Sequence, residues 1–100
     1  MLQLKELLKK LIEFREKRDW TKYHTPENLA KSISIEASEL LLNYQWENNP
    51  NIDNVKEELA DIMIYCLYLM DYYNFELEEM VLSKLEKNAI KYPLKDTDET

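Results

Sequence analysis

Two pairs of acidic residues are set among apolar residues at helical spacing. The pairs are Glu36 with Glu39 and Glu58 with Asp61, and two residues separate the members of each pair. Residues three apart emerge on one face of a helix, and an ionised carboxylate removed from water without a partner costs much free energy. Four such groups also repel one another. A hard cation such as Mg²⁺, which binds carboxylate oxygens and bridges to phosphates, would relieve both costs. The pattern therefore predicts a magnesium site that handles a phosphate-bearing ligand.

The neighbours of these acids argue against the alternative that they are ordinary solvated surface acids. The four helical stripes that hold them read Leu29, Ile33, Glu36, Leu40; Ile35, Glu39, Leu42, Trp46; Val55, Glu58, Ile62, Tyr65; and Asp61, Ile64, Tyr68. Most of the other acidic residues, such as Glu6 and Glu86, fit the surface interpretation. A di-iron carboxylate bundle needs two Glu-x-x-His pairs. The chain has a single histidine, so that metal site is excluded.

The composition favours an all-α fold and excludes several classes of site. There is no glycine in 100 residues, whereas P-loops, dinucleotide-binding turns and nucleophile elbows all depend on it. Thirteen basic and twenty acidic residues give a net charge of −7, which disfavours binding to a nucleic acid polymer. The single cysteine cannot form an internal disulfide. The longest apolar run, residues 62–70, is too short to span a membrane, and we expect a cytoplasmic protein.

Hydrophobic periodicity predicts four helices that would position the acids. Their expected ranges are 2–17, 26–46, 53–72 and 77–91, with Thr25 and Asp53 as the residues that cap the second and third helices. From Leu59 onward the third helix is apolar on nearly every side, which predicts a central, buried element. Asn74 is expected in the left-handed conformation that ends this helix. Residues 1–94 are predicted to form one domain, and residues 95–100 a polar tail.

The acid pairs belong to an ordered set of residues that resembles the MazG-like all-α NTP pyrophosphohydrolases. Glu36-Ala-Ser-Glu39 and Glu58-Leu-Ala-Asp61 match the ExxE and ExxD motifs of that family, with 18 residues between them. Its dCTP pyrophosphatase branch is similar in further segments: Arg18-Asp19-Trp20 with His24, Gln45-Trp46, and Ser83-Lys84 with Asn88 and Tyr92-Pro93. The resemblance spans residues 14–93. Many members have a glutamate where this chain has Ile35, a difference that concerns the subfamily.

The resemblance implies an activity and a set of site residues. The family hydrolyses nucleoside triphosphates to monophosphate and pyrophosphate, with Mg²⁺, or Mn²⁺ in its place, held by Glu36, Glu39, Glu58 and Asp61. Glu39 is our candidate for the base that accepts a proton from the attacking water. Lys84 and Tyr92 are expected to contact phosphates. The nucleoside pocket would contain Trp20, His24, Trp46, Tyr65 and Asn88. Core packing is the alternative role for Trp46 and Tyr65, and capping or bracing of the second helix is the alternative for His24.

These inferences together predict a MazG-like bundle of about four helices that is completed by oligomerisation, as a dimer or a tetramer. A third helix that is apolar on all sides needs more cover than one chain of this size supplies. The expected substrate is a nucleoside or deoxynucleoside triphosphate, with dCTP or a modified dCTP favoured, and the expected purpose is the removal of unwanted nucleotides from the pool. The rival hypothesis is a non-catalytic helical interaction or oligomerisation module. It accounts for the amphipathic helices but not for four carboxylates on apolar stripes.

Overall fold

A computed structural model describes residues 2–45 and 49–95, which form helices and turns with no strand among them. The helices are α1 (Leu4–Lys17), α2 (Pro26–Leu42), α3 (Ile52–Tyr72) and α4 (Leu77–Lys91), with a short 3₁₀ helix (Thr21–Tyr23) between α1 and α2. The prediction of an all-α fold with about four helices is confirmed. The 3₁₀ helix was not predicted from the sequence.

The starts of α2 and α3 are set by side chains that cap them. Thr25 Oγ1 accepts a hydrogen bond from the backbone N–H of Asn28 at 3.2 Å, with Pro26 in the first turn, as predicted. The cap of α3 is Asn51 and not Asp53, so that part of the prediction was wrong. Asn51 Oδ1 accepts from the backbone N–H of Asn54 at 3.2 Å. Asp53 lies in the first turn instead, where its charge favours the positive end of the helix.

The ends of α2 and α3 are set by asparagines. We predicted that α2 would extend to residue 46, but it ends at Leu42. The Asn43 side-chain amide donates to the carbonyls of Glu39 and Leu40, both at 3.3 Å, and so occupies acceptors that the last turn leaves free. Residues 46–48, including Trp46, lie outside the described residues. Asn74 has the predicted left-handed backbone, with φ of 58°, and the chain turns there towards α4.

The third helix is central, since α1 and α2 both pack against it. Its buried residues Leu67, Tyr68 and Met70 form the described core together with Leu29 of α2, which is 1% exposed. Tyr68 also ties α1 to α3, because its hydroxyl donates to the Leu11 carbonyl at 2.7 Å. Closer to the start of α3, Leu59 is 47% exposed. The predicted burial on all sides is therefore wrong for the first half of the helix within one chain.

The fourth helix makes only marginal contact with the other three. The Cα radius of gyration is 17.6 Å, against about 13 Å for a compact domain of 100 residues. Apolar side chains on α4 are consequently open to solvent: Met80, Val81, Leu82, Leu85 and Ile90. One chain therefore leaves a broad apolar surface uncovered. The predicted polar tail lies outside the described residues from position 96 onward, and no helix among the residues described is long and apolar enough to cross a membrane.

Candidate metal centre and aromatic pocket

The packing of α2 on α3 brings three of the four predicted acids together. Glu36 of α2 and Glu58 and Asp61 of α3 each offer a carboxylate oxygen, and these oxygens all lie within 4.8 Å of one another. Glu36 and Glu58 are half-buried and Asp61 is exposed. Glu39 lies one helical turn after Glu36, is exposed, and is not in this group of mutually close acids. The three close carboxylates are called the acid cluster below.

The electrostatics of the acid cluster fit a bound cation. Removal from water and the neighbouring carboxyl groups of Glu36, Glu39 and Asp61 together raise the pKa of the Glu58 carboxyl. Glu58 Oε2 is buried and has no hydrogen-bond partner among the described residues. A buried acceptor without a donor is costly, and a hard cation would satisfy it. The residues present, all carboxylates, are the ligand type that Mg²⁺ and Mn²⁺ prefer.

A cavity of about 460 Å³ adjoins the acid cluster, and we call it the aromatic pocket. Its lining residues are Lys10, Leu11, Phe14, Trp20, His24, Asp61, Ile64, Tyr65 and Tyr68. Asp61 belongs to both the pocket and the acid cluster. The volume falls in the range of small-molecule sites, and several aromatic rings offer faces on which a planar group can stack. A ligand in the pocket would therefore lie directly beside a cation held by the acids.

The end of α1 aims Trp20 at this pocket. Asp19 adopts a left-handed backbone with φ of 56°. The Trp20 backbone N–H then donates a hydrogen bond to the Arg15 carbonyl at 3.0 Å. This closing turn resembles the hydrogen bonding of a helix C-cap and folds Trp20 back towards α1. The Trp20 ring meets Phe14 edge-to-face at 5.7 Å and remains 43% exposed. The side chain is thus held in place and open to a ligand.

His24 is packed against α3 and does not cap α2, since Thr25 performs that role. Its ring lies 4.9 Å from the Tyr68 ring and 6.3 Å from the Tyr65 ring. Burial, and then the positive charge of Arg15, lower the pKa of His24 below its usual value of 6.5. The imidazole is therefore neutral at physiological pH. His24 therefore braces the segment before α2 and also lines the aromatic pocket, and its contact with a ligand stays a prediction.

The remaining predicted residues lie apart from this site in one chain. Lys84, Asn88 and Tyr92 follow the turn at Asn74, and none of them lines the aromatic pocket. Lys84 instead lines a second cavity of about 490 Å³ beside that turn, together with Asn74 and Phe75. Asp61 is thirteen residues before the turn, a distance of about 20 Å along a helix. Because α4 does not fold back onto α3, it does not bring these side chains to the acid cluster of its own chain.

The contribution of α1 to the pocket was not predicted from the sequence. Lys10, Leu11 and Phe14 line it, and their spacing places them on one face of α1. Tyr68 was noted only as a member of the Asp61 stripe. The available signal was an aromatic residue on that stripe two turns after a predicted metal ligand, because side chains at such spacing share one helical face.

The chain belongs to the MazG-like family. The model of that family matches residues 31–100, which include both acid pairs and the whole of α3 and α4. The resemblance that the motifs predicted is thereby confirmed.

Named relatives agree with this assignment. The chain is 30% identical to dCTP pyrophosphatase 1 of Mus musculus and 31% identical to that of Homo sapiens, over 91% and 90% of its length. It spans about three-fifths of those curated relatives, since the match covers 59% of each. A crystal structure of a pyrophosphatase from Archaeoglobus fulgidus is 45% identical, with a TM-score of 0.86 over 94% of this chain and 95% of that one.

Proposed function

We propose that this protein is a magnesium-dependent nucleotide pyrophosphohydrolase that converts a nucleoside triphosphate to its monophosphate and pyrophosphate. The observation that carries the proposal is the shared position of Asp61, in the acid cluster and in the wall of the aromatic pocket. This juxtaposition suits a ligand that has a planar base at one end and phosphates at the other. The names of the relatives support dCTP as the substrate. We extend the proposal to a modified dCTP, and to removal of unwanted nucleotides in the cytoplasm as the purpose.

Glu36, Glu58 and Asp61 would hold the metal, with Glu39 as a fourth ligand or as the general base. Bound Mg²⁺ supplies charge neutralisation on the phosphates and lowers the pKa of a coordinated water. Hydrolysis adds the oxygen of a water to phosphorus and breaks one phosphoanhydride bond, so pyrophosphate leaves and one proton must be accepted. The exposed Glu39 carboxylate, near enough to the cluster to influence Glu58, is suited to accept that proton.

The phosphate contacts of Lys84 and Tyr92 and the base contact of Asn88 come from a second copy of the chain. This proposal is supported by the projecting α4 with its uncovered apolar side chains and by the exposed Leu59 and Met63 on α3. A symmetric pair would bury these surfaces and bring α4 of one copy to the acids of the other. The protein is then a dimer or a tetramer.

The same uncovered α4 surface supports the rival hypothesis of a non-catalytic helical interaction module. Pyrophosphate release separates the two hypotheses. We expect release from a panel of deoxynucleoside triphosphates, highest with a cytosine base, that requires Mg²⁺ or Mn²⁺ and stops with EDTA. A protein that assembles but releases no pyrophosphate from any nucleotide tested would be the interaction module.

Mg²⁺ should raise the melting temperature of the protein, because it binds the folded state and relieves the repulsion within the acid cluster. Differential scanning fluorimetry with MgCl₂, compared with NaCl at equal ionic strength, measures the shift. Glu58→Gln, which removes a proposed ligand, should lose most of it, whereas Glu16→Gln on the exposed face of α1 should retain it. Equal shifts with the two salts would mean that the acids hold no magnesium.

Trp20→Ala should raise KM for the nucleotide with little change in kcat, because a ring that stacks on the base stabilises substrate and transition state alike. Loss of one base stack typically costs about 1–3 kcal/mol. Steady-state kinetics provides the measurement. Tyr23→Ala is the matched control, since Tyr23 is an exposed aromatic three residues away that does not line the pocket. If KM stays unchanged for every nucleotide, Trp20 has a structural role only.

A further inference from the structure

Arg15 of α1 is a partly buried cation with few partners. Its side chain is 11% exposed, and its nearest carboxylate contact is Nη2 to Asp71 Oδ2 at 3.8 Å, long for an ion pair. Arg15 Nε is buried and has no hydrogen-bond partner among the described residues. The guanidinium carbon instead lies 4.7 Å above the Tyr68 ring. A partly buried charge without a close carboxylate partner costs stability.

The Tyr68 ring connects Arg15 to the aromatic pocket. Tyr68 is 3% exposed, and its hydroxyl donates a hydrogen bond to the Leu11 carbonyl at 2.7 Å. His24 lies against the same ring, at 4.9 Å between centroids and an interplanar angle of 46°. Tyr68 and His24 line the pocket, whereas Arg15 does not. The guanidinium is therefore placed where it acts on the pocket wall without touching a ligand.

We infer that Arg15 is a positioning residue of the aromatic pocket, which acts through the Tyr68 ring on the orientation of His24 and on the hydrogen bond that its imidazole offers to a ligand. His24 Nδ1 is buried without a partner among the residues described, so a proton there would be an unsatisfied donor. An unprotonated nitrogen there would be an unsatisfied acceptor in the same way. The polar edge of a nucleobase, which carries both donors and acceptors, would complete the hydrogen bonding of the imidazole. This inference rests on the proposed function only for the identity of the ligand.

The charges around His24 give Arg15 a definite electrostatic effect. The titratable or charged groups that line the pocket or act on its Tyr68 wall are Lys10 and Arg15 on α1, Arg18 just after α1, and Asp61, Tyr65 and Tyr68 on α3. The nearby cations oppose protonation of the imidazole, whereas the Asp61 carboxylate favours it. Burial is the first cause of the lowered pKa of His24 and Arg15 the second. Loss of the Arg15 charge should therefore raise this pKa, while burial still holds it below 6.5.

His24 is the only histidine in the chain, so its NMR titration can be followed without ambiguity in the whole protein. Two variants separate the functions of Arg15. Arg15→Met keeps the length of the side chain and removes the charge, and it should raise the pKa of His24. Arg15→Lys keeps the charge but loses the planar stack on Tyr68, and it should leave the pKa lowered. Both titrations are run with EDTA and again with Mg²⁺, because Asp61 lies in the same pocket.

Kinetics provide the second measurement. Both variants should raise KM by about 2- to 10-fold, the loss expected when one hydrogen bond is weakened, with kcat nearly unchanged. Lys17→Met, which removes an exposed cation from the same helix, should change neither the pKa nor KM. Should Arg15→Met fail to fold, Arg15→Gln retains polar contacts and takes its place.

Two outcomes are distinct. An unchanged His24 pKa in folded Arg15→Met, together with wild-type KM in both variants, would overturn the role of Arg15. A raised His24 pKa in a protein that hydrolyses no nucleotide would uphold the coupling of Arg15 to His24 and reject the proposed function.

Discussion

Glu36→Gln is expected to lower kcat for pyrophosphate release by about 10²-fold or more, the loss typical when a group that stabilises transition-state charge is removed. The substitution keeps the size of the side chain and removes one of three carboxylates whose oxygens lie within 4.8 Å. Two carboxylates of the acid cluster then remain to hold the metal that would bind the phosphates. Single-turnover and steady-state assays at saturating Mg²⁺ measure the loss.

The same substitution should make the metal-free protein more stable. Glu36 and Glu58 repel each other when both are ionised, and glutamine ends that repulsion. The melting temperature measured in EDTA should therefore rise in this variant, whereas its activity falls. Glu16→Gln serves as the control, because it removes an exposed acid that lies outside the acid cluster and should change neither quantity. A Glu36→Gln enzyme with wild-type turnover would remove Glu36 from the site.

The gain in stability should depend on pH in a definite sense. The folded pKa of Glu58 is raised above its ordinary 4.5, so between these two values the folded state binds more protons than the unfolded state. The contribution of this carboxyl to stability then falls as pH rises through that window. Glu36→Gln removes a cause of the raised pKa. The advantage of the variant over the wild type in EDTA should accordingly be larger above the folded pKa of Glu58 than below 4.5.

Mixing two inactive variants should restore activity if each site combines the acids of one copy with Lys84 of another. Glu58→Gln disables the acid cluster, and Lys84→Ala disables the phosphate contact, so each variant alone should be nearly inactive. In a mixed symmetric pair, one of the two sites retains both wild-type residues. Random exchange makes half of the pairs mixed, so about a quarter of wild-type activity is expected. Activity is measured after subunit exchange and compared with the unmixed proteins.

A mixture of Glu58→Gln with Glu36→Gln is the matched control for this experiment. Both residues belong to the acid cluster of one copy, so every site in a mixed pair lacks one acid and the mixture should stay inactive. Two results would contradict the shared site: full activity of Lys84→Ala alone, or no recovery in a mixture shown by native mass spectrometry to contain mixed pairs. Full activity of Lys84→Ala would remove Lys84 from the phosphate contact, and no recovery in mixed pairs would return that contact to residues of the same chain.

Local features of the sequence determined the helices and the assignment to a family. Thr25 with Pro26 and the left-handed Asn74 are properties of individual residues and their immediate neighbours, because capping and turn conformations are set over a few residues. The acid pairs could be predicted for a similar reason. Residues three apart share one helical face wherever the helix lies, so the spacing and the apolar neighbours revealed them without knowledge of the packing.

Only the tertiary structure decided which residues meet from different helices. Arg15 is an unremarkable cation in an amphipathic helix, and its contact with the Tyr68 ring follows from the packing of α1 on α3. The close approach of Glu36 to Glu58 and Asp61, and the exclusion of Glu39 from that group, depend in the same way on the relative rotation of α2 and α3. The position of α4 depends on contacts at its apolar face. Helical periodicity specifies which side chains share a face, but the partner of that face is chosen by packing between distant segments.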